Sequence, residues 1–197
     1  MLVYYYKSEK LNLFIAIVYN FSKESQKIIL QTIKFFENEE NVKNYLKQNK
    51  LELNRVDILK EDNEILKLVG LFNAYLSGDK INLPKQINKL DIELALNEKF
   101  KTKFSQDVLK IMLNLGYGEI TSYSEIGNKI GSKAYRAIGT ILKKNPLPLI
   151  IPCHRVIKKN GKIGGFMGKI DNKWQQKLKS DLLKIESIDL LNYHSLN

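Results

Sequence analysis

The 197-residue chain has one cysteine, two histidines, one tryptophan and four prolines. A single cysteine excludes an intramolecular disulfide and any multi-cysteine metal site. With only His154 and His194, a tetrahedral zinc site would need carboxylates to complete its shell, so no metal is expected. The longest apolar run near the start, residues 13–19 (LFIAIVY), is far too short to cross a bilayer, and no membrane association is expected. The first residues show no cleavable signal pattern, which makes a reduced cytoplasmic compartment the expectation. Arginine is also scarce, at three of the 32 basic residues.

Acidic residues are scarce in one half only. Residues 1–94 hold 14 basic and 13 acidic groups, whereas residues 95–197 hold 18 and 8. Nearly all of the formal charge of +11 therefore lies in the second half. A general lysine bias would enrich both halves, so the asymmetry points to a polyanionic partner whose phosphates the second half neutralises.

Hydrophobic patterning divides the chain at about the same place. Residues 2–6 (LVYYY) and 11–19 (LNLFIAIVY) flank a polar turn and predict a β-hairpin. Residues 23–37 and 41–50 fit helix or mixed structure. Helical spacing over 62–78 ends at Gly78, and the polar stretch that follows is the expected linker, near 79–95. In the second half, Phe104, Val108, Ile111, Met112 and Leu115 share one helix face. Ser122 and Glu125 stand at capping-box spacing ahead of a short helix. Gly131 breaks that helix, and Ser132 is placed to cap a second one over 133–144. Two short helices about a tight glycine turn predict a helix-turn-helix, whose second helix enters a groove of DNA. On that helix Ala134, Ala137, Ile138 and Ile141 are expected to face the core, with Lys133, Arg136, Thr140 and Lys143 on the other side. Arg136 stands out in a chain that otherwise uses lysine, since a guanidinium is kept where its planar donors matter.

The only thiol lies in NPLPLIIPCHRV, residues 145–156, with three of the four prolines close before it. Asn145-Pro146 stops the helix, and LPLIIP reads as a short buried extended segment that delivers Cys153. A nucleophilic thiol needs a cation, a base or dipoles nearby. His154 follows directly, but adjacent side chains on an extended strand point to opposite faces. A bridging water or a local turn is then required to link the two, with a carboxylate to orient the imidazole, and Glu186 on the expected C-terminal helix is the candidate. Arg155 supplies positive potential or ties backbone carbonyls together. Residues 160–168 (NGKIGGFMG) hold four glycines and form a loop able to approach a ligand, with Phe166 and Met167 as apolar faces for a flat base. A thiol beside a DNA-binding surface implies chemistry on the DNA itself, such as acceptance of an alkyl group.

PCHRV (152–156), with NPLPLII before it and a glycine-rich loop after it, resembles the active-site signature of the O6-alkylguanine-DNA alkyltransferases. YGEITSY (117–123) and KAYRAIGTILKKNP (133–146) match the same family in order and spacing. The resemblance covers residues 68–186 and is strongest over 104–168. It implies an N-terminal α/β domain of ribonuclease H-like fold over 1–92, then a winged helix-turn-helix domain over 98–197 that carries the active site. It also implies a single-turnover repair protein, acting as a monomer in the cytoplasm on nucleoid DNA. Cys153 would take the alkyl group from O6-alkylguanine, and from O4-alkylthymine, in double-stranded DNA bound from the minor groove; no cofactor is needed. A Glu186–His154–water network would activate the thiol. Arg136 would fill the gap left by the flipped base, and Tyr123 would turn the base out and assist its departure. Asn145 would shape the hinge between helix and thiol. The expected DNA-facing set is Tyr123, Ser132, Lys133, Ala134, Tyr135, Arg136, Ala137 and Thr140. Asn145, Arg155, Val156, Phe166, Met167 and Gly168 form the expected hinge and lesion pocket.

The sequence departs from the family pattern at Phe166, usually tyrosine, at Met167, often serine, and at Tyr135, usually a small alanine. Lys169 stands where a second glycine is frequent, and the interval from Gly168 to Glu186 is longer than usual. Three other classes fit less well. An alkyltransferase-like lesion binder lacks the thiol, and a plain winged-helix regulator does not need one. A cysteine hydrolase needs no basic half.

Overall fold

A computed structural model describes residues 1–53, 61–167 and 173–188 of the chain. These residues form a mixed α/β structure of two compact units, Met1–Lys99 and Phe100–Asn197. No helix among the described residues is long and apolar enough to cross a membrane.

The first unit is built on a five-stranded sheet in the order β4-β1-β2-β3-β5. Strands β1 (Leu2–Ser8) and β2 (Leu13–Ser22) are the expected hairpin, paired Val3 to Val18 and Tyr5 to Ala16. The segment that fitted helix or mixed structure is strand β3 (Lys27–Phe36), antiparallel to β2. Its pairing with β2 settles the ambiguity: Ile17 stands opposite Ile33 and Ile15 opposite Phe35, and all four are buried. Local spacing cannot register a partner strand of this kind. Helix α1 (Glu39–Asn49) is capped by Asn38 and lays Val42 and Leu46 on Val3, Ala16 and Val18. Strand β4 (Glu52–Leu53) pairs parallel with β1, and helix α2 (Glu61–Leu76) packs on β3. Residues 79–95, the expected linker, carry helix α3 (Leu83–Ile87) and strand β5 (Ile92–Leu94), which closes the sheet edge against β3. Leu83, Ile87 and Ile92 bury their side chains there, so the polar composition of the stretch concealed three apolar anchors.

The second unit opens with helix α4 (Lys103–Leu113), capped by Thr102, with Val108, Leu109 and Met112 buried. A turn over 114–120 leads to β6 (Thr121–Ser122), which pairs parallel with β7 (Val156–Ile157). Helix α5 (Tyr123–Lys129) starts at the predicted capping box, with the Ser122 and Glu125 bonds both made. Helix α6 (Tyr135–Lys143) begins two residues later than expected. Ser132 does not cap it: its hydroxyl accepts from the Ala134 amide, two residues on, which is a local turn bond. Of the expected core face only Ile138 is buried, joined by Leu142; Ile141 is half-buried, and Ala134 and Ala137 are exposed. Helix α7 (Lys173–Ile185) ends the described chain.

Candidate active site

The segment that delivers Cys153 is not extended. Residues 147–151 form turns, with the Ile151 amide donating to the Leu147 carbonyl at 2.9 Å and Leu149 held at φ +74°. Cys153–Arg155 then make one turn of 3-10 helix. In such a turn successive side chains diverge by a third of a revolution. Cys153 therefore meets Asn145, while His154 and Arg155 both reach Glu186.

The thiol is met by Asn145, whose Nδ2 donates to Cys153 Sγ at 3.1 Å and to the Ile151 carbonyl at 2.8 Å. Asn145 Oδ1 accepts from the Leu147 amide at 2.9 Å. One amide side chain thus ties together the end of α6, the proline-rich turn and the sulfur. His154 is fully buried, with Nε2 at 2.9 Å from Glu186 Oε1. Arg155 grips the same carboxylate through Nε and Nη2, at 2.8 to 3.0 Å, and its Nη1 donates to the Leu115 carbonyl at 2.8 Å. The Gly118 amide adds a further bond to Glu186 Oε2 at 3.1 Å. Arg155 thus spends its charge on Glu186 and ties one backbone carbonyl, that of Leu115.

The electrostatics follow from burial opposed by these contacts. Burial would raise the Glu186 carboxyl, but its bonds and charges with His154 and Arg155 outweigh that and bring it to about 2. Burial lowers His154, with Glu186 pulling the other way, so the imidazole is held toward its neutral form. Burial pushes the Cys153 thiol up, while the Asn145 bond and the Lys179 charge pull it down.

Lys179 is the residue that sequence reasoning missed. It is fully buried on α7, and its Nζ donates to the Val156 carbonyl at 2.6 Å. Burial lowers its ammonium to about 8, with the Cys153 charge acting in the opposite direction. The signal was present: Gln175, Leu178, Lys179, Leu182 and Leu183 are all buried at helical spacing on α7, and Glu186 follows in step. A lysine and a glutamate on an apolar stripe call for partners inside.

Above the sulfur lies a pocket of about 300 Å³ lined by Tyr123, Arg136, Cys153, Phe166 and Met167, with Gly139, Thr140, Leu142, Lys143 and Gly165 completing it. Tyr123 is half-buried, and burial and the Cys153 charge both raise its hydroxyl. Arg136 and Thr140 are exposed on α6, the Thr140 hydroxyl donating to the Arg136 carbonyl at 3.0 Å. Phe166 is buried, and Met167 holds φ +49°. Val156 is buried on β7 and meets Lys179 through its carbonyl alone. Ser132, Lys133, Ala134 and Tyr135 lie at the start of α6 and Ala137 in its first turn, none of them lining the pocket. Gly168 lies outside the described residues. The arrangement brings together Cys153, Asn145, Tyr123, Arg136, Phe166 and Met167 on one side of the turn. His154, Arg155 and Glu186 meet on the other.

Fold and site define a mixed α/β protein with a single pocketed thiol, backed by a buried charged cluster and fronted by a basic helix. The family model "6-O-methylguanine DNA methyltransferase, DNA binding domain" matches residues 103–188. The methylated-DNA–protein-cysteine methyltransferase of Saccharolobus islandicus is 33% identical over 132 residues, which cover 66% of this chain and 75% of that protein. This chain belongs to the methylated-DNA–protein-cysteine methyltransferase family. The protein of that name from Mycobacterium tuberculosis strain H37Rv is 41% identical over 106 residues, 53% of this chain and 58% of that protein. That match thus spans less than two thirds of the length of the Mycobacterium tuberculosis relative. A crystal structure of Mycobacterium tuberculosis O6-methylguanine methyltransferase superposes with a TM-score of 0.59 at 26% identity, covering 97% of this chain and 99% of that one.

Proposed function

We propose that the protein repairs DNA by moving the alkyl group of O6-alkylguanine onto Cys153, once per molecule and without a cofactor. The observation that carries this reading is Cys153 Sγ at the floor of a pocket, with Asn145 donating to it and Arg136 at the rim. The sulfur attacks the alkyl carbon in line, a C–S bond forms, and the carbon–O6 bond breaks with its electron pair left on the purine. The proton lost by the thiol is balanced by the proton the restored guanine takes up.

In this reading, His154, oriented by Glu186, takes the thiol proton through a water, and the buried Lys179 and Asn145 favour the thiolate. Tyr123, beside the sulfur, donates to the departing base. The first unit is a ribonuclease H-like scaffold over 1–92. The second, over 98–197, is a winged helix-turn-helix whose α6 enters the minor groove of duplex DNA. Arg136 then occupies the space of the flipped lesion, and O4-alkylthymine enters the same pocket. Ser132, Lys133, Ala134, Ala137 and Thr140 face the DNA, and the protein acts as a monomer in the cytoplasm. Concentration of basic residues in the second half supports the DNA partner. A duplex carrying a radiolabelled O6-methyl group tests the proposal. Label should pass to the protein and plateau at one equivalent; continued release of label into solution would mean hydrolysis instead.

A further inference from the structure

Tyr135 is one of few large apolar side chains left exposed, at 37%, and it is the first residue of α6. Its exposure is not that of a loose ring. A side chain at a helix start leans back toward the preceding turn, and here the ring reaches α5. A Cβ placed on Gly127 would lie 2.6 Å from Tyr135 Cε1 and 2.5 Å from the Ser132 carbonyl oxygen. The Ser132 amide donates to the Gly127 carbonyl at 2.8 Å, which locks the turn against that glycine. Gly127 is therefore a seat, and the ring is held against it with a little over a third of the residue's surface in solvent. Lys133 and Arg136, both exposed, lie within two residues of it in the chain, and Lys129 lies in the last turn of α5. Arg136, the next residue, lines the thiol pocket.

We propose that Tyr135 is a stacking platform that takes the face of a base next to the lesion. The inference rests on the duplex-DNA reading above and adds to it a contact outside the thiol pocket. In that reading Arg136 takes the place of the departed base, and the ring at the preceding helix position can stack on the face of a base beside that gap. Such contacts tolerate any sequence, because every base has a π-face. A fixed ring also loses little rotamer freedom on binding, since its seat already orders it.

The test uses the full chain carrying Cys153→Ser, so that the lesion stays in place, and a duplex with O6-methylguanine beside 2-aminopurine, whose fluorescence stacking quenches. Tyr135→Leu keeps an apolar side chain over Gly127 but removes the ring; Tyr135→Phe keeps the ring. The expected result is affinity retained by the phenylalanine variant and weakened about tenfold by the leucine variant. The slope of log K against log salt should stay unchanged in both, because no phosphate contact is lost. The 2-aminopurine should be quenched with tyrosine or phenylalanine and bright with leucine. Loss in Tyr135→Phe equal to that in Tyr135→Leu, with a shallower salt slope, would assign the contact to the hydroxyl and a phosphate and overturn stacking. Equal binding and fluorescence in all three proteins would overturn it too. Methyl uptake by the unsubstituted chain is measured alongside. Uptake without a Tyr135 effect overturns the stacking alone, and no uptake overturns the repair reading.

Discussion

Asn145 Nδ2 lies 3.1 Å from Cys153 Sγ while the same amide group holds the Ile151 carbonyl and the Leu147 amide. The side chain that shapes the turn is thus also the one that donates to the sulfur. Asn145→Ala removes both functions. The expected loss is about 1–3 kcal/mol of stability from the backbone groups left unpaired, read by urea denaturation. The thiol should also rise further in pKa, read as slower alkylation by iodoacetamide at neutral pH. Unchanged thiol reactivity in a destabilised protein would restrict Asn145 to the turn.

Lys179 places a cation near the sulfur with its own pKa near 8. Lys179→Met removes the charge and keeps the length. Without that cation the Cys153 thiol moves up, so alkylation at pH 7 should slow by about tenfold, one pKa unit of lost charge stabilisation. Raising the pH should recover the rate. A pH profile that matches the native protein would show that Lys179 only holds the Val156 carbonyl.

Glu186 and His154 set the acid stability. In the unfolded chain Glu186 titrates near 4.5, in the folded chain near 2, so the unfolded state binds the extra proton between these values. His154 acts in the same direction: its folded pKa is depressed below 6.5, so the unfolded chain protonates first as the pH falls. Stability should therefore decline from about pH 6.5 downward and continue to fall toward pH 2. Glu186→Gln removes the lower step and leaves Arg155 buried without its counter-charge, at a cost of about 3–5 kcal/mol. Urea midpoints measured across pH check both parts; a flat profile in the native protein contradicts them.

Gly127→Ala puts a methyl group 2.5 Å from a backbone oxygen, which no rotamer change can relieve. The α5–α6 turn must open, and a loss of about 1–3 kcal/mol is expected from the overpacking. A melting temperature equal to that of the native protein would contradict the seat described for Tyr135.

Much of the second unit was legible because its signals are local. The Ser122–Glu125 capping box and the Gly131 break each act within a few residues and were made as read. The apolar face of α4 was met in part: Val108, Met112 and Leu115 are buried, Phe104 and Ile111 half-buried, and Leu109 joins them. Glu186 was legible through the residues around it, since helical spacing carries it onto the buried side of α7. What failed was non-local or conformational. Strand β3 owes its identity to Ile15 and Ile17 on another strand. The run before Cys153 reads as strand by composition, yet Leu149 sits at φ +74°, in the left-handed region, which composition and periodicity cannot reveal. Ser132 has a capping residue's chemistry but bonds two residues ahead, outside α6, which begins at Tyr135. Lys179 was overlooked because lysine is common throughout the chain, and only its place on the α7 stripe distinguishes it.

The central claim is that Cys153 is the acceptor. After incubation with a duplex containing O6-methylguanine, intact-protein and peptide mass spectrometry should find one added methyl group, on Cys153, and none in Cys153→Ala. A methyl group on any other residue, or repair by the Cys153→Ala protein, would contradict the account.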